Sequence, residues 1–197
     1  MYTQTRKFYL LALLGLFFTL QACNEDDGPN DPGAGDEELI TTVIVSMVAD
    51  QPTPDGRTYT WSWTDLDGPG GDEPVVVSDS LPWQGLYNYT VIFRNETAVP
   101  PANLVNTEIE QEGTDHQVFL QFEGVNLQYQ YEDEDANGQP IGLRGKVLTF
   151  LPGEGTMTVT LRHEPDKDAV GVVGGVIVEA GGETDVEVEI PIAVFEQ

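Results

Sequence analysis

Hydrophobic and polar side chains alternate along most of the chain after residue 38. This period of two is typical of β-strands that bury one face and expose the other. The segment Tyr59-Thr-Trp-Ser-Trp63, for example, alternates aromatic and hydroxyl residues. The pattern predicts strands over residues 39–48, 59–63, 75–81, 86–94, 117–122, 126–131, 146–150, 156–162 and 184–194.

The last of these segments alternates most regularly. Between residues 184 and 194, Asp185, Glu187 and Glu189 alternate with valine and isoleucine. Because successive side chains of a strand point to opposite faces, we expect all three carboxylates on the solvent-exposed face.

Glycine- and proline-rich turns separate the predicted strands, and one segment departs from the alternation. After Pro101, Val105 and Ile109 lie four residues apart, a spacing that predicts a short amphipathic helix. Many short strands between regular turns favour an antiparallel sandwich or barrel. We expect an all-β domain over residues 39–197, an antiparallel β-sandwich, immunoglobulin-like or related, with one short helix.

The first 22 residues have a different character. Arg6 and Lys7 precede an apolar run over residues 8–20, which is short for a membrane-spanning helix and typical of an export signal. The following Leu20-Gln21-Ala22-Cys23 resembles the lipobox of bacterial lipoproteins. The resemblance implies a signal peptide over 1–22 and a lipid on Cys23 that anchors the chain to a membrane.

Residues 23–38 follow as an acidic linker without large apolar side chains. Such a segment cannot bury hydrophobic surface, so we expect a disordered tether. Acidic residues directly after the cysteine also resemble the signal that sends lipoproteins of Bacteroidota to the cell surface. This implies an outer-membrane, cell-surface location; a plain hydrophilic linker is the alternative.

The formal net charge is −26, and loss of Arg6 and Lys7 with the signal peptide takes it to about −28. A field of this sign repels nucleic acid, so we expect no nucleic-acid partner. Cys23 is the single cysteine, which excludes an intrachain disulfide and a thiolate metal site.

The two histidines of the chain are the strongest candidates for metal ligands. His116 follows Asp115, His163 precedes Glu164, and both histidines border predicted strands. Strand ends of a sandwich gather at two poles, so the four side chains can meet. Two imidazoles and a carboxylate would bind zinc or copper. In the alternative interpretation, each histidine is an ordinary surface or hydrogen-bonding residue.

Two acidic loops have the composition of calcium sites. Asp133, Asp135 and Asn137 match the front half of an EF-hand loop, but its twelfth position is Arg144 instead of a glutamate. The alternatives are a weaker calcium loop and an Asn-Gly hairpin turn. The second loop contains Asp65, Asp67 and Asp72, and it allows the same two interpretations.

No pattern for catalysis accompanies these groups. The serines lack the glycine frame of a nucleophile elbow, and the many carboxylates specify no particular pair. We therefore expect a protein that is not an enzyme.

Several motifs, taken in order, resemble a group of Bacteroidota outer-membrane lipoproteins. That group is often labelled "type 1 periplasmic binding fold superfamily" and is commonly encoded near TonB-dependent transporters. The resemblance implies a ligand- or metal-binding accessory of such a transporter. It does not imply the two α/β lobes of that name, because this chain is strand-rich throughout. A structural or adhesive sandwich with calcium-stabilised loops is the alternative function. The motifs are Glu37-Glu-Leu-Ile-Thr-Thr, Asp65-Leu-Asp-Gly, Thr114-Asp-His-Gln-Val-Phe, Asp133-Glu-Asp-Ala-Asn-Gly, Leu161-Arg-His-Glu-Pro and Ala180-Gly-Gly-Glu-Thr-Asp.

Overall fold

A computed structural model describes residues 39–51, 56–100 and 104–196 of the chain. The predicted signal peptide over 1–22, the lipid attachment site Cys23 and the tether up to residue 38 lie outside the described residues.

The described residues form ten strands in two sheets that pack together, which confirms the all-β sandwich. The strands are β1 (Thr42–Ala49), β2 (Thr58–Thr64), β3 (Val75–Val77), β4 (Ser80–Pro82), β5 (Leu86–Arg94), β6 (His116–Glu123), β7 (Asn126–Tyr131), β8 (Arg144–Leu151), β9 (Gly153–His163) and β10 (Glu183–Phe195). Their order is β3-β2-β1-β5-β8-β7 in the larger sheet and β4-β10-β9-β6 in the smaller. All paired strands are antiparallel except β4 and β10, which are parallel.

The core lies between the sheets and follows the alternation of the sequence. Along β5, Tyr87, Tyr89, Val91 and Phe93 are buried, while the residues between them face outward or are half-buried. The Tyr87 hydroxyl donates to the carbonyl of Pro82 in the other sheet at 3.1 Å. Burial of this phenol raises its pKa to about 12, so it stays neutral and able to donate.

The predicted single strand over 75–81 is wrong, because the chain changes sheets within it. Asp79 separates β3 from β4, and its carboxylate accepts hydrogen bonds from the backbone N–H groups of Thr60 at 3.2 Å and Ser80 at 2.8 Å. These bonds replace ladder bonds at the crossing point. The three consecutive valines of β3 are all exposed, so the β-branched composition of the segment predicts a strand without revealing the crossing.

The short helix is confirmed as α1 (Asn106–Gln111), with Val105 and Ile109 buried. The Asn106 side chain attaches its beginning to β5, accepting from the N–H of Phe93 at 2.7 Å and donating to the carbonyl of Val91 at 2.8 Å. Four residues, 112–115, separate the end of the helix from the beginning of β6.

A long connection, residues 164–182, joins β9 to β10 and covers part of the smaller sheet. Val172 and Ala180 pack against Phe119 of β6 in a second, smaller hydrophobic cluster. The Gln117 side chain donates to the carbonyl of Val172 at 2.9 Å. The connection is thereby held on the sheet, and its two ends lie where β9 ends and β10 begins.

We expect Gly145→Ala to destabilise the fold by about 1–3 kcal/mol through overpacking. A Cβ at this position of β8 would lie 2.1 Å from the carbonyl oxygen of Gln130 and 2.6 Å from the ring of Tyr89. Gly174→Ala is the matched control, since nothing lies within 4 Å of its added Cβ. Thermal unfolding measures both variants. Equal unfolding midpoints would contradict this expectation, because they would show that the strands around Gly145 can shift to accept the Cβ at no cost in stability.

Candidate metal centre

The two histidines lie side by side at one end of the smaller sheet. His116 is the first residue of β6 and His163 the last of β9, and the antiparallel register places them directly opposite each other. Their ring centroids are 4.8 Å apart. His116 is completely buried and His163 is 9 % exposed. The strand register therefore brings together the two residues that the sequence selected.

The carboxylate beside them is that of Asp185, which the alternation of β10 had assigned to the solvent-exposed face. That expectation is wrong for Asp185, whose side chain is completely buried, although Glu187 and Glu189 are exposed as expected. The pairing of β10 with β9 shifts between Thr184 and Val186, so Asp185 is the extra residue of a β-bulge. A bulge interrupts alternation and re-aims a side chain.

The three side chains form a compact group, the His-His-Asp cluster (His116, His163 and Asp185). Each imidazole has one nitrogen 3.9 Å from an oxygen of Asp185, Nε2 of His116 and Nδ1 of His163. One ligand atom from each residue lies within 4.8 Å of the others. Tetrahedral zinc, with bonds of about 2.0 Å, holds neighbouring ligand atoms about 3.3 Å apart, so the ligand atoms would have to approach one another by up to about 1.5 Å.

A backbone carbonyl orients the first imidazole. Nδ1 of His116 lies 3.1 Å from the carbonyl oxygen of Glu112, at the end of α1. A carbonyl only accepts, so Nδ1 donates its proton in this bond, and a neutral ring then carries its lone pair on Nε2. Metal-binding histidines are usually held by such a bond from the second ring nitrogen. Nε2 is the atom that faces Asp185.

The two carboxylates selected from the sequence occupy another position. Asp115 and Glu164 are both exposed, and the N–H of Glu164 donates to the carbonyl oxygen of Asp115 at 2.6 Å. They flank the histidines at the protein surface, and neither belongs to the group of three. The carboxylate among the imidazoles is Asp185, because the bulge turns it inward.

The first predicted calcium loop forms a turn that is closed by its own backbone. Asp133 accepts hydrogen bonds from the N–H groups of Gly142 at 2.8 Å and Arg144 at 3.0 Å. Asn137 is exposed in the turn between β7 and β8, which pair as an antiparallel hairpin. The arrangement favours the Asn-Gly hairpin, the alternative that the sequence left open.

The carboxylate of Asp135 pairs with the ammonium group of a lysine, which stands where a calcium loop would hold its ion. Lys167 donates to the Asp135 carboxylate at 2.9 Å and to the carbonyls of Gly113 at 2.6 Å and Pro140 at 2.9 Å. Burial alone would raise the pKa of Asp135, but hydrogen bonds from Gln139 and Lys167 bring it below its usual value. Burial also lowers the pKa of Lys167, an effect that Asp135 only partly offsets. The pair ties the 164–182 connection to the hairpin loop.

The second predicted calcium loop also bonds to its own backbone. Asp65 accepts from the N–H of Gly68 at 2.9 Å, and Asp67 accepts from the N–H of Asp72 at 2.8 Å. The latter bond lowers the pKa of Asp67. Within residues 39–51, 56–100 and 104–196, His116, His163 and Asp185 form the one group of three or more histidine and carboxylate side chains close enough to share an ion.

No family model, curated protein or solved structure matches this chain. In the described part of the chain, no helix is long and apolar enough to cross a membrane.

We expect Lys167→Met to destabilise the fold by about 3 kcal/mol, because it leaves the buried Asp135 carboxylate without its ammonium. Lys146→Met is the control. Lys146 pairs with Asp50 and Glu132, but its side chain is 26 % exposed, so we expect a loss within about 1 kcal/mol. Chemical denaturation at pH 7 measures both variants, and equal losses would contradict the assigned role of Lys167.

The difference in the free energy of unfolding between wild type and Lys167→Met is expected to become smaller at acid pH. The pKa of Asp135 is lowered in the folded protein, so its contribution is complete above the unfolded value of about 3.9 and is lost as pH falls through the folded pKa. Denaturation curves at pH 7, 4 and 2.5 follow this loss.

Proposed function

We propose that this protein is an exported, lipid-anchored β-sandwich that binds a divalent transition metal at the His-His-Asp cluster. The observation that supports this most directly is the convergence of two imidazoles and a buried carboxylate from three different strands. Each imidazole nitrogen of the group lies 3.9 Å from the carboxylate. A metal ion held between three titratable groups that are buried together would stabilise the folded protein.

Ligand chemistry favours zinc or copper at this cluster. Imidazole nitrogens suit both metals, whereas calcium takes six to eight oxygen ligands. Two histidines and one aspartate would leave a fourth coordination position for water or an exchangeable ligand, as in zinc sites that are not purely structural. The calcium-stabilised alternative receives less support, because four of its candidate carboxylates already accept protein hydrogen bonds, namely Asp65, Asp67, Asp133 and Asp135.

The location in the cell is proposed from the N-terminal sequence. The export signal over 1–22 and the lipobox-like cysteine support a lipid-anchored protein at the outer membrane. The role as accessory to a TonB-dependent transporter is supported by the motif resemblance alone. Together they suggest a protein that holds a metal ion near its point of uptake.

We expect zinc to raise the thermal unfolding midpoint and calcium to leave it unchanged. A ligand at 100 times its dissociation constant stabilises the native state by about 2.7 kcal/mol. Binding is expected to weaken from pH 7.5 to pH 5, since protons compete with the metal for imidazole nitrogens. Calorimetric titration with zinc and copper gives the affinities.

Asp185→Asn is the sharpest variant, because it keeps the size of the side chain and removes the anionic ligand. We expect it to weaken zinc binding by at least about 100-fold, more than the loss of an outer partner of a ligand usually does. His163→Gln should weaken binding similarly, while Glu123→Gln, an exposed carboxylate at the far end of β6, should not. Wild-type affinity in Asp185→Asn would exclude the cluster as the metal site.

For the anchor, we expect Cys23→Ser to move the protein from the membrane fraction to the soluble fraction, because the serine cannot carry the lipid thioether. Cell fractionation and immunoblotting measure the distribution. Unchanged membrane association of the variant would refute lipid anchoring at this residue.

A further inference from the structure

Exposed carboxylates surround the place where the cluster comes closest to the surface. Asp115 directly precedes the ligand His116, and Glu164 directly follows the ligand His163. Glu183 lies opposite His163 in the register of β9 and β10. All three side chains are exposed, and together they form an acidic rim (Asp115, Glu164 and Glu183).

The backbone fixes the rim relative to the histidines. The 2.6 Å hydrogen bond from Glu164 to Asp115 joins the ends of β9 and β6 just beyond the two ligands. Glu164 has a φ of 49°, in the left-handed region, so the chain turns sharply at this residue. Gly182 allows the return strand to approach, because a Cβ there would lie 2.2 Å from the carbonyl oxygen of His163.

The exposures of the three ligands indicate how an ion reaches them. The His163 side chain is 11 % exposed, whereas those of His116 and Asp185 are completely buried. An incoming ion therefore meets His163 first, at the end of β9 between Glu164 and the strand partner Glu183.

The three exposed groups of the rim are all carboxylates, and the ammonium of Lys167, which interacts with Asp115, is buried and paired with Asp135. The rim holds three of the 34 aspartate and glutamate residues of a chain whose formal net charge is −26. A surface of one sign concentrates ions of the opposite sign and increases their rate of association, and it repels ions of like sign. The nearest arginine in the sequence, Arg162, pairs with Gln117 one register position inside the two histidines.

We infer that the cluster takes its metal as a free hydrated divalent cation, steered by the acidic rim, and does not take an anionic metal chelate. The inference rests on the proposed function and names the chemical form of the cargo. The rim carboxylates are steering residues that accelerate binding, and the ligands remain the two imidazoles and Asp185. Exposed carboxylates beside a buried cluster thereby acquire a role distinct from coordination.

The first experiment measures the association and dissociation rates of zinc by stopped-flow mixing with a chromophoric zinc indicator. The rim variant is Asp115→Asn/Glu164→Gln/Glu183→Gln. The charge-matched control replaces three exposed glutamates away from the cluster and is Glu123→Gln/Glu154→Gln/Glu189→Gln. At low salt, we expect association to slow about tenfold in the rim variant and less than twofold in the control. Dissociation should change less than twofold in both, and about 0.5 M salt should remove the difference in association.

The second experiment offers zinc to the wild type as its anionic nitrilotriacetate complex. We expect the bound zinc to follow the concentration of free zinc, with no chelate retained on the protein after gel filtration. Equal association rates in the rim and control variants, or a retained chelate, would overturn the inference while leaving the metal site intact. A wild type that binds no zinc would overturn the proposed function and this inference together.

Discussion

The pairing of β9 with β6 on one side and β10 on the other is the constraint on which the site depends. β9 is an inner strand of the smaller sheet, and its register with β6 runs without interruption from His163 opposite His116 to Thr156 opposite Glu123. A slip of one residue would turn each side chain of β6 to the other face, separating the imidazoles and exposing Val118. The hydrophobic core and the cluster are therefore fixed by the same set of backbone hydrogen bonds.

Two buried aspartates of this domain illustrate how environment assigns a role. Asp135 accepts hydrogen bonds from two backbone N–H groups and from the ammonium of Lys167, so its negative charge is compensated within the protein. Asp185 lies beside two imidazole nitrogens, each 3.9 Å from one of its oxygens. The first arrangement is a structural ion pair between loops. The second has the spacing that an ion between the three groups would close, and this distinguishes the proposed site from the rest of the acidic surface.

The 164–182 connection brings these features into one region. It begins directly after His163, carries Lys167 to the hairpin loop, covers Phe119 of β6, and ends three residues before Asp185. Its position places the buried Lys167 and Gln117 close to the two buried histidines. Of the three side chains of the cluster, that of His163 is partly exposed, whereas those of His116 and Asp185 are completely buried.

The sequence by itself determined the strand-rich fold and the short helix around Ile109, and it singled out His116 and His163 as candidate metal ligands. It could do so because alternation and residue chemistry are local properties. It also left the Asn137 turn as one of two alternatives, since hairpins and calcium loops use the same residues. Only the tertiary structure decided that the chain changes sheets at Asp79. It also decided that Lys167 forms an ion pair with Asp135 and that Asp185 lies beside the two imidazoles. The physical reason is the same in each case. A β-bulge, a sheet crossing and a long-range ion pair depend on the register between distant strands, and the alternation of β10 had even placed Asp185 on the opposite face.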